Sequence, residues 1–275
     1  MVVREKLKYE DVLGFKYGYT PIGKPFLNTY IYFIDGLLID TGQSNARQKI
    51  ISDTNQLAID QIFITHYHED HTGNIKAIAK QHQCKVYGSK ICSELMKKPP
   101  KISFAQKLGW GNRPNYNEII SQEKEIKTDR YTFQIISIPG HAADMIALYE
   151  PEKKWLFSAD LFINSYISYF LYNESIMDQI ISIKKILKLD FKVMFCSHNP
   201  QLTEPKEKLK KKLSYLENTF EDVQSLYSKG YSKGQIFKSL KMKENWLVKT
   251  LSLGQLSKLN MVQSIIRDIE KKQTE

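Results

Sequence analysis

Apolar residues along this 275-residue chain change their spacing near residue 200. Before that point, short apolar runs of strand length alternate with stretches whose apolar residues lie three and four apart. Beyond it, only the helical spacing remains. Tyr30-Ile31-Tyr32-Phe33-Ile34 and Leu37-Leu38-Ile39-Asp40 flank Asp35-Gly36, a dipeptide suited to a two-residue hairpin turn. Ser44 opens a predicted helix with Ile50, Ile51 and Leu57 on its apolar side. Ile62-Phe63-Ile64-Thr65 reads as a short buried strand, Ile75, Ile78 and Ala79 as helix, and Lys85-Val86-Tyr87 as the next strand. Residues 99–117, rich in Pro, Gly and Asn, predict a long loop, a feature often functional in compact domains. Strands are predicted over residues 131–138, 145–149 and 155–157. A helix with Ile176, Ile180, Ile183 and Leu187 then leads to a last strand, Val193-Met194-Phe195.

From Thr203 and Pro205 onward the pattern is helical. Leu209, Leu213, Leu216, Phe220 and Val223 form one stripe, and Gly230 is a plausible stop. Ser232 and Gln235 make a capping-box pair ahead of Ile236, Phe237 and Leu240. Leu259, Val262, Ile266 and Ile269 mark a final helix. The expected organisation is an α/β unit over residues 1–202 with an all-helical extension over 203–275.

Composition narrows the class. Apolar content of 42% and charged content of 25% are those of a soluble globular chain, which excludes disorder as the main state. The formal charge of +10 is uneven, with +6 of it beyond residue 200. A basic helical segment can touch nucleic acid, but aromatic and basic residues do not interleave here, so a solvated helix face, a lid or an oligomer contact is the stronger expectation. Cys84, Cys92 and Cys196 are odd in number and widely spaced, as expected of reduced thiols in a cytoplasmic protein. The N-terminal residues are charged and lack the apolar core of a signal peptide, and no run is long enough to cross a bilayer.

The candidate chemistry lies in the histidines. Five of the six fall in Thr65-His66-Tyr67-His68-Glu69-Asp70-His71, Pro139-Gly140-His141 and Cys196-Ser197-His198, each after an apolar run. Asp160 ends Leu156-Phe157-Ser158-Ala159-Asp160 in the same manner. Along an extended segment residues i and i+2 point the same way, so His66 and His68 can face one metal as the chain leaves its strand. Asp70 continues that alternation, while His71 points elsewhere and can serve a neighbouring ion. Zinc takes imidazole nitrogen and carboxylate oxygen, and residues so close in sequence cannot complete two coordination shells alone. His82 lies outside every motif and reads as a residue near a helix end.

The ordered set His66, His68, Asp70, His71, His141, Asp160 and His198 resembles the metallo-β-lactamase superfamily over roughly residues 10–200, together with Ile39-Asp40-Thr41-Gly42. The resemblance implies an αββα sandwich with the helical extension appended and two divalent ions at one edge, zinc favoured and manganese or iron as alternatives. It implies that His66, His68 and His141 bind one ion, that Asp70, His71 and His198 bind the other, and that Asp160 bridges. Asp40 is then the carboxylate that orients ligands without touching metal. A bridging hydroxide would attack a carbonyl, with Asp70 orienting it and returning a proton to the leaving group.

Within the superfamily, β-lactam-cleaving members commonly carry Cys at the Asp160 position and lack the His71 equivalent. The pattern is closer to the glyoxalase II and lactonase branches, so a small thioester, ester or lactone is the expected substrate. A phosphodiesterase or nuclease, a mononuclear-iron persulfide dioxygenase and a non-enzymatic binding module on the same fold are the alternatives. Ser197-His198-Asn199-Pro200 departs from the Gly-His-Gly of many relatives and predicts a stiffer second-site loop. Tyr166, Tyr169 and Tyr172 read first as packing over the sandwich edge and second as oxyanion donors. Trp110 reads equally as a pocket residue or as a pin that holds its loop to the core, and a homodimer is a possible assembly.

Overall fold

Period-two alternation sends successive strand residues to opposite faces of a sheet, and here both faces are apolar. The computed structural model describes residues 2–274 except 21, 22, 24 and 26. Strands β1 (Val2–Tyr9), β2 (Val12–Tyr19), β3 (Thr29–Ile34) and β4 (Leu37–Ile39) run antiparallel in sequence. The helix α1 (Arg47–Thr54) leads to β5 (Gln61–Ile64), which lies parallel to β4. Two short helices, α2 (Glu69–Thr72) and α3 (Ile75–His82), precede the parallel strand β6 (Lys85–Gly88). Next come α4 (Lys90–Lys97), α5 (Phe104–Trp110) and β7 (Ile119–Ser121), which closes a seven-stranded sheet ordered β1 to β7.

The second sheet takes β8 (Glu125–Lys127), β9 (Thr132–Ser137), β10 (Ile146–Glu150) and β11 (Trp155–Ala159), all antiparallel. Helix α6 (Ile176–Leu187) crosses over to β12 (Val193–Cys196), parallel to β11, giving the order β12-β11-β10-β9-β8. Phe63 on β5, and Trp155 and Phe157 on β11, face the cluster between the sheets with Tyr32, Phe133, Leu148 and Phe195. Their neighbours Ile62, Ile64 and Leu156 face outward into a second cluster with Ile50, Ile75, Ile78, Ile183 and Leu216. Full burial of each such side chain contributes about 1.5–3 kcal/mol, so the two apolar faces account for helices on both outsides. Phe157 stacks on Phe195 with centroids 4.8 Å apart, and the buried Tyr32 hydroxyl donates to the Cys196 carbonyl at 2.6 Å.

The extension holds α7 (Pro205–Ser228), α8 (Lys233–Ser239), α9 (Trp246–Leu251) and α10 (Lys258–Thr274). Its apolar stripe joins the outer cluster of the sandwich through Leu209, Leu216, Val262 and Ile266. Three expectations need correction. Residues 99–117 are not loop throughout, because Ser103 and Gln106 form a capping box that starts α5. Leu57 lies beyond α1, which ends at Thr54. The buried stripe of α7 passes through Lys212 while Leu213 is only partly buried. The β1–β2 hairpin, α4, β7, β8 and α9 went unpredicted.

Candidate metal centre

Four chain breaks from regular structure bring the ligand candidates together. The β5 strand delivers His66 and His68, and the chain enters α2 at Glu69, so Asp70 and His71 stand in its first turn. Gly140 lets the His141 turn approach α6, since a Cβ there would meet Gln179 at 2.6 Å. At the end of β11 the register slips and Ala159 adopts a left-handed φ of 46°, which aims Asp160 out of the sheet. His198 follows β12, where Ser197 donates to the Ala159 carbonyl at 2.9 Å and so ties the two strand ends together.

The result is two groups of donor atoms. Those of His66, His68 and His141 lie within 4.8 Å of one another, as do those of Asp70, His71, Asp160 and His198. Nδ1 of His68 stands 3.1 Å from Nε2 of His66 and 3.0 Å from Nε2 of His141. Zinc–nitrogen bonds of about 2.0–2.1 Å in a tetrahedron set their nitrogens roughly 3.3 Å apart, close to this spacing. Asp160 spans the groups: Oδ2 is 3.3 Å from His141 and 2.9 Å from His198, and Oδ1 is 3.3 Å from His71. Nε2 of His71 and Oδ1 of Asp160 are buried without a hydrogen-bond partner. Such orphaned atoms are costly unless a cation takes them, so the residues present fit a pair of metal ions.

The outer ring nitrogens are tied down. Nδ1 of His71 pairs with Oδ2 of Asp40 at 2.8 Å, Nδ1 of His198 with the Asn28 carbonyl at 2.7 Å, and Nδ1 of His141 with Oε1 of Glu174 at 3.2 Å. Nδ1 of His66 lies 3.1 Å from the Thr65 hydroxyl, which donates to Asp40 at 2.8 Å. These contacts fix each ring's orientation and tautomer. Thr29 donates to Oδ2 of Asp70 at 3.1 Å. The backbone of the motif is held by Asp144, which accepts from Tyr67 N at 2.8 Å.

Charge follows the same division. Burial lowers the pKa of His66 and His68 far below the usual imidazole range, and neighbouring imidazoles add to it. Burial acts likewise on His71, His141 and His198, but carboxylates outweigh it and raise all three: chiefly Asp160 at His71 and His198, and Glu174 at His141. Burial pushes Asp160 upward, yet His198 and His71 hold it well below the carboxylate range. The second group thus carries two carboxylates side by side, a setting that calls for positive charge.

The segment between α4 and β7 borders this centre. Trp110 packs beside His198 with ring centroids 6.2 Å apart. Arg113 donates to the Tyr67 carbonyl at 3.3 Å and lies over the Tyr67 ring at 4.9 Å. With Lys98, Lys101 and Lys107 it lines a cleft of about 320 Å³. Of the tyrosines after Asp160, Tyr166 is 68% exposed yet packs edge-on against Tyr215 of α7 with centroids 5.4 Å apart, Tyr172 is 57% exposed, and Tyr169 accepts from Asn245 at 3.1 Å. His82 ends α3, away from both groups. Glu174, Thr29 and Asp144 carried no motif in the sequence, because each reaches the centre only through the folded chain.

Comparison with known proteins agrees with this geometry. A family model described as metallo-beta-lactamase superfamily matches residues 25–198. A beta-lactamase-like protein 2 homolog from Caenorhabditis elegans is 27% identical over 190 residues, covering 66% of this chain and 59% of that protein. A hydroxyacylglutathione hydrolase from Legionella pneumophila is 31% identical over 142 residues, covering 49% of this chain and 48% of that protein. The chain therefore spans between about half and three fifths of these curated relatives. A metallo-beta-lactamase from Pontibacter korlensis superposes with a TM-score of 0.61 at 18% identity, covering 79% of this chain and all of that one. The αββα sandwich, the histidine and aspartate groups at its edge and the matching family model together show that the chain belongs to the metallo-beta-lactamase superfamily.

Proposed function

We propose that the chain is a dinuclear metal-dependent hydrolase of small thioesters, esters or lactones. The observation that carries this reading is the pair of donor groups, seven residues in all, with Asp160 between them. His66, His68 and His141 hold one ion, Asp70, His71 and His198 the other, and Asp160 serves both. Zinc suits the nitrogen-rich first group, with manganese or iron as alternatives. Residues 1–202 form the catalytic unit and 203–275 the extension.

When bound, two divalent ions supply Lewis acidity at the acyl oxygen and bring the pKa of water at the centre toward about 7. The chain's own residues do the rest. Asp40, Glu174 and the Asn28 carbonyl hold the rings of His71, His141 and His198 in one tautomer. Thr29 fixes one oxygen of Asp70, which leaves Oδ1 to take a proton from the attacking water and pass it to the leaving thiolate or alkoxide. Trp110 borders the centre beside His198. The thioester arm of the reading is supported by the relative named hydroxyacylglutathione hydrolase.

The test is turnover of thioester, lactone, phosphodiester and β-lactam substrates by zinc- and manganese-loaded full chain. Hydrolysis of thioesters or lactones, lost in Asp70→Asn, is the expected result. Turnover of phosphodiesters alone would replace the acyl reading with a nuclease one.

A further inference from the structure

Lys212 stands in the middle of α7 on its buried face, in line with Leu209 and Leu216. Its side chain is 5% exposed overall, and Nζ donates to the Leu161 carbonyl at 2.7 Å. Among the described residues it forms no ion pair. Burying an ammonium against one neutral acceptor costs several kcal/mol, and a methionine of similar length would avoid that cost. The acceptor it reaches belongs to the residue after Asp160. Two further carbonyls of that turn are also held: Ala159 accepts from Ser197 N and the Cys196 thiol, and Ser158 from Leu161 N. Ala159 keeps a left-handed φ there, so the turn that aims Asp160 needs such restraint.

A second tie comes from α10. Ser264 Oγ and Arg267 donate to the Glu174 carbonyl at 3.1 and 3.2 Å, and Ser264 also accepts from Ile176 N at 3.1 Å. Glu174 in turn holds Nδ1 of His141 at 3.2 Å, and Gln179 donates to its other oxygen at 2.7 Å.

We propose that the helical extension is a working part of the metal centre, with Lys212 positioning Asp160 through Leu161 and with Ser264 and Arg267 positioning His141 through Glu174. The inference rests on the two-metal reading above but not on the substrate. Lys212 touches neither metal ligand nor substrate, so it is a positioning residue. Its removal loosens the Asp160 turn and weakens metal binding without unfolding the chain.

The experiment uses the full chain as wild type, Lys212→Met, Lys212→Arg and Ser264→Ala. Zinc affinity is read by competition with a chromogenic chelator, the ligand field by the absorption of the cobalt-substituted protein, and stability by thermal melting. Changes to residues that orient ligands typically cost about 10–100-fold in metal affinity. K212M is expected to lose affinity in that range for the weaker-binding ion and to shift the cobalt spectrum, with a melting temperature equal to or above wild type. K212R, which keeps a donor, recovers part of the affinity. K212M with wild-type affinity and an unchanged cobalt spectrum would overturn the inference. If K212M does not fold, S264A carries the test through His141: a weakened site with a shifted spectrum supports the proposal, and wild-type behaviour overturns it. Failure of wild type itself to bind metal would instead remove the two-metal reading, and inactivity toward thioesters and lactones with normal metal affinity would leave this inference standing.

Discussion

Asp40→Asn separates metal orientation from fold. Asp40 is 1% exposed and sits at a left-handed φ of 62°, a conformation that Asn tolerates better than other side chains. Its carboxylate accepts from Thr65 N and Thr65 Oγ1, each at 2.8 Å, and from Nδ1 of His71 at 2.8 Å. An amide oxygen can keep the backbone bond at Oδ1. The NH₂ group replaces Oδ2 and meets two former donors. The Thr65 hydroxyl can rotate to accept, but His71 must move its proton from Nδ1 to Nε2. That proton then occupies the nitrogen that faces Asp160 and Asp70. A ring in this tautomer cannot bind metal through Nε2 until it rearranges, so the second group is weakened more than the first, whose His66 meets Asp40 only through the Thr65 hydroxyl. An outer-shell loss of about 10–100-fold in affinity corresponds to roughly 1.4–2.7 kcal/mol. Titration of zinc against a chelator should show one affinity near wild type and one reduced in that range, with far-ultraviolet dichroism unchanged. Two wild-type affinities in D40N would refute the assignment of Asp40 as the group that sets the His71 tautomer.

Further outcomes follow from the same geometry. Burial pushes Asp144 up from 3.8 to about 6, so the folded state holds more protons than the unfolded between those values and stability falls as pH rises through that window. Asp144→Asn keeps an acceptor for Tyr67 N and should remove this slope, gaining at most about 3 kcal/mol at pH 7 in urea unfolding. Tyr17→Phe removes one of the donors to buried Asp53, beside Arg4, and should cost about 1–2 kcal/mol of stability while leaving metal affinity unchanged. His68→Ala should lose about one bound ion per chain by elemental analysis, whereas His82→Gln, at the end of α3, should lose none.

Much of the candidate site was legible because the histidines and aspartates of the two donor groups follow strand ends, where alternation and motif coincide. The Asp35-Gly36 hairpin was legible for a similar reason: both residues take positive φ, 46° and 79°, as that turn demands. The β1–β2 hairpin was hidden by its first strand. Arg4, Glu5, Lys6 and Lys8 break the apolar pattern, and the strand lies at the sheet edge, where charge guards against further pairing. The α5 helix was masked by surrounding Pro and Gly, although its capping box at Ser103 and Gln106 was present in the sequence. Lys212 left a trace as a charge at helical spacing between Leu209 and Leu216, but nothing local says which carbonyl it meets. Glu174 left none, since its role depends on a turn 33 residues beyond His141 in the chain.

The two-metal centre is the claim on which the rest depends, and metal content of purified full chain after zinc supplementation tests it most directly. Two ions per chain, falling to about one in His68→Ala, is the result the seven-residue geometry predicts. One ion or fewer in the wild-type chain would contradict it.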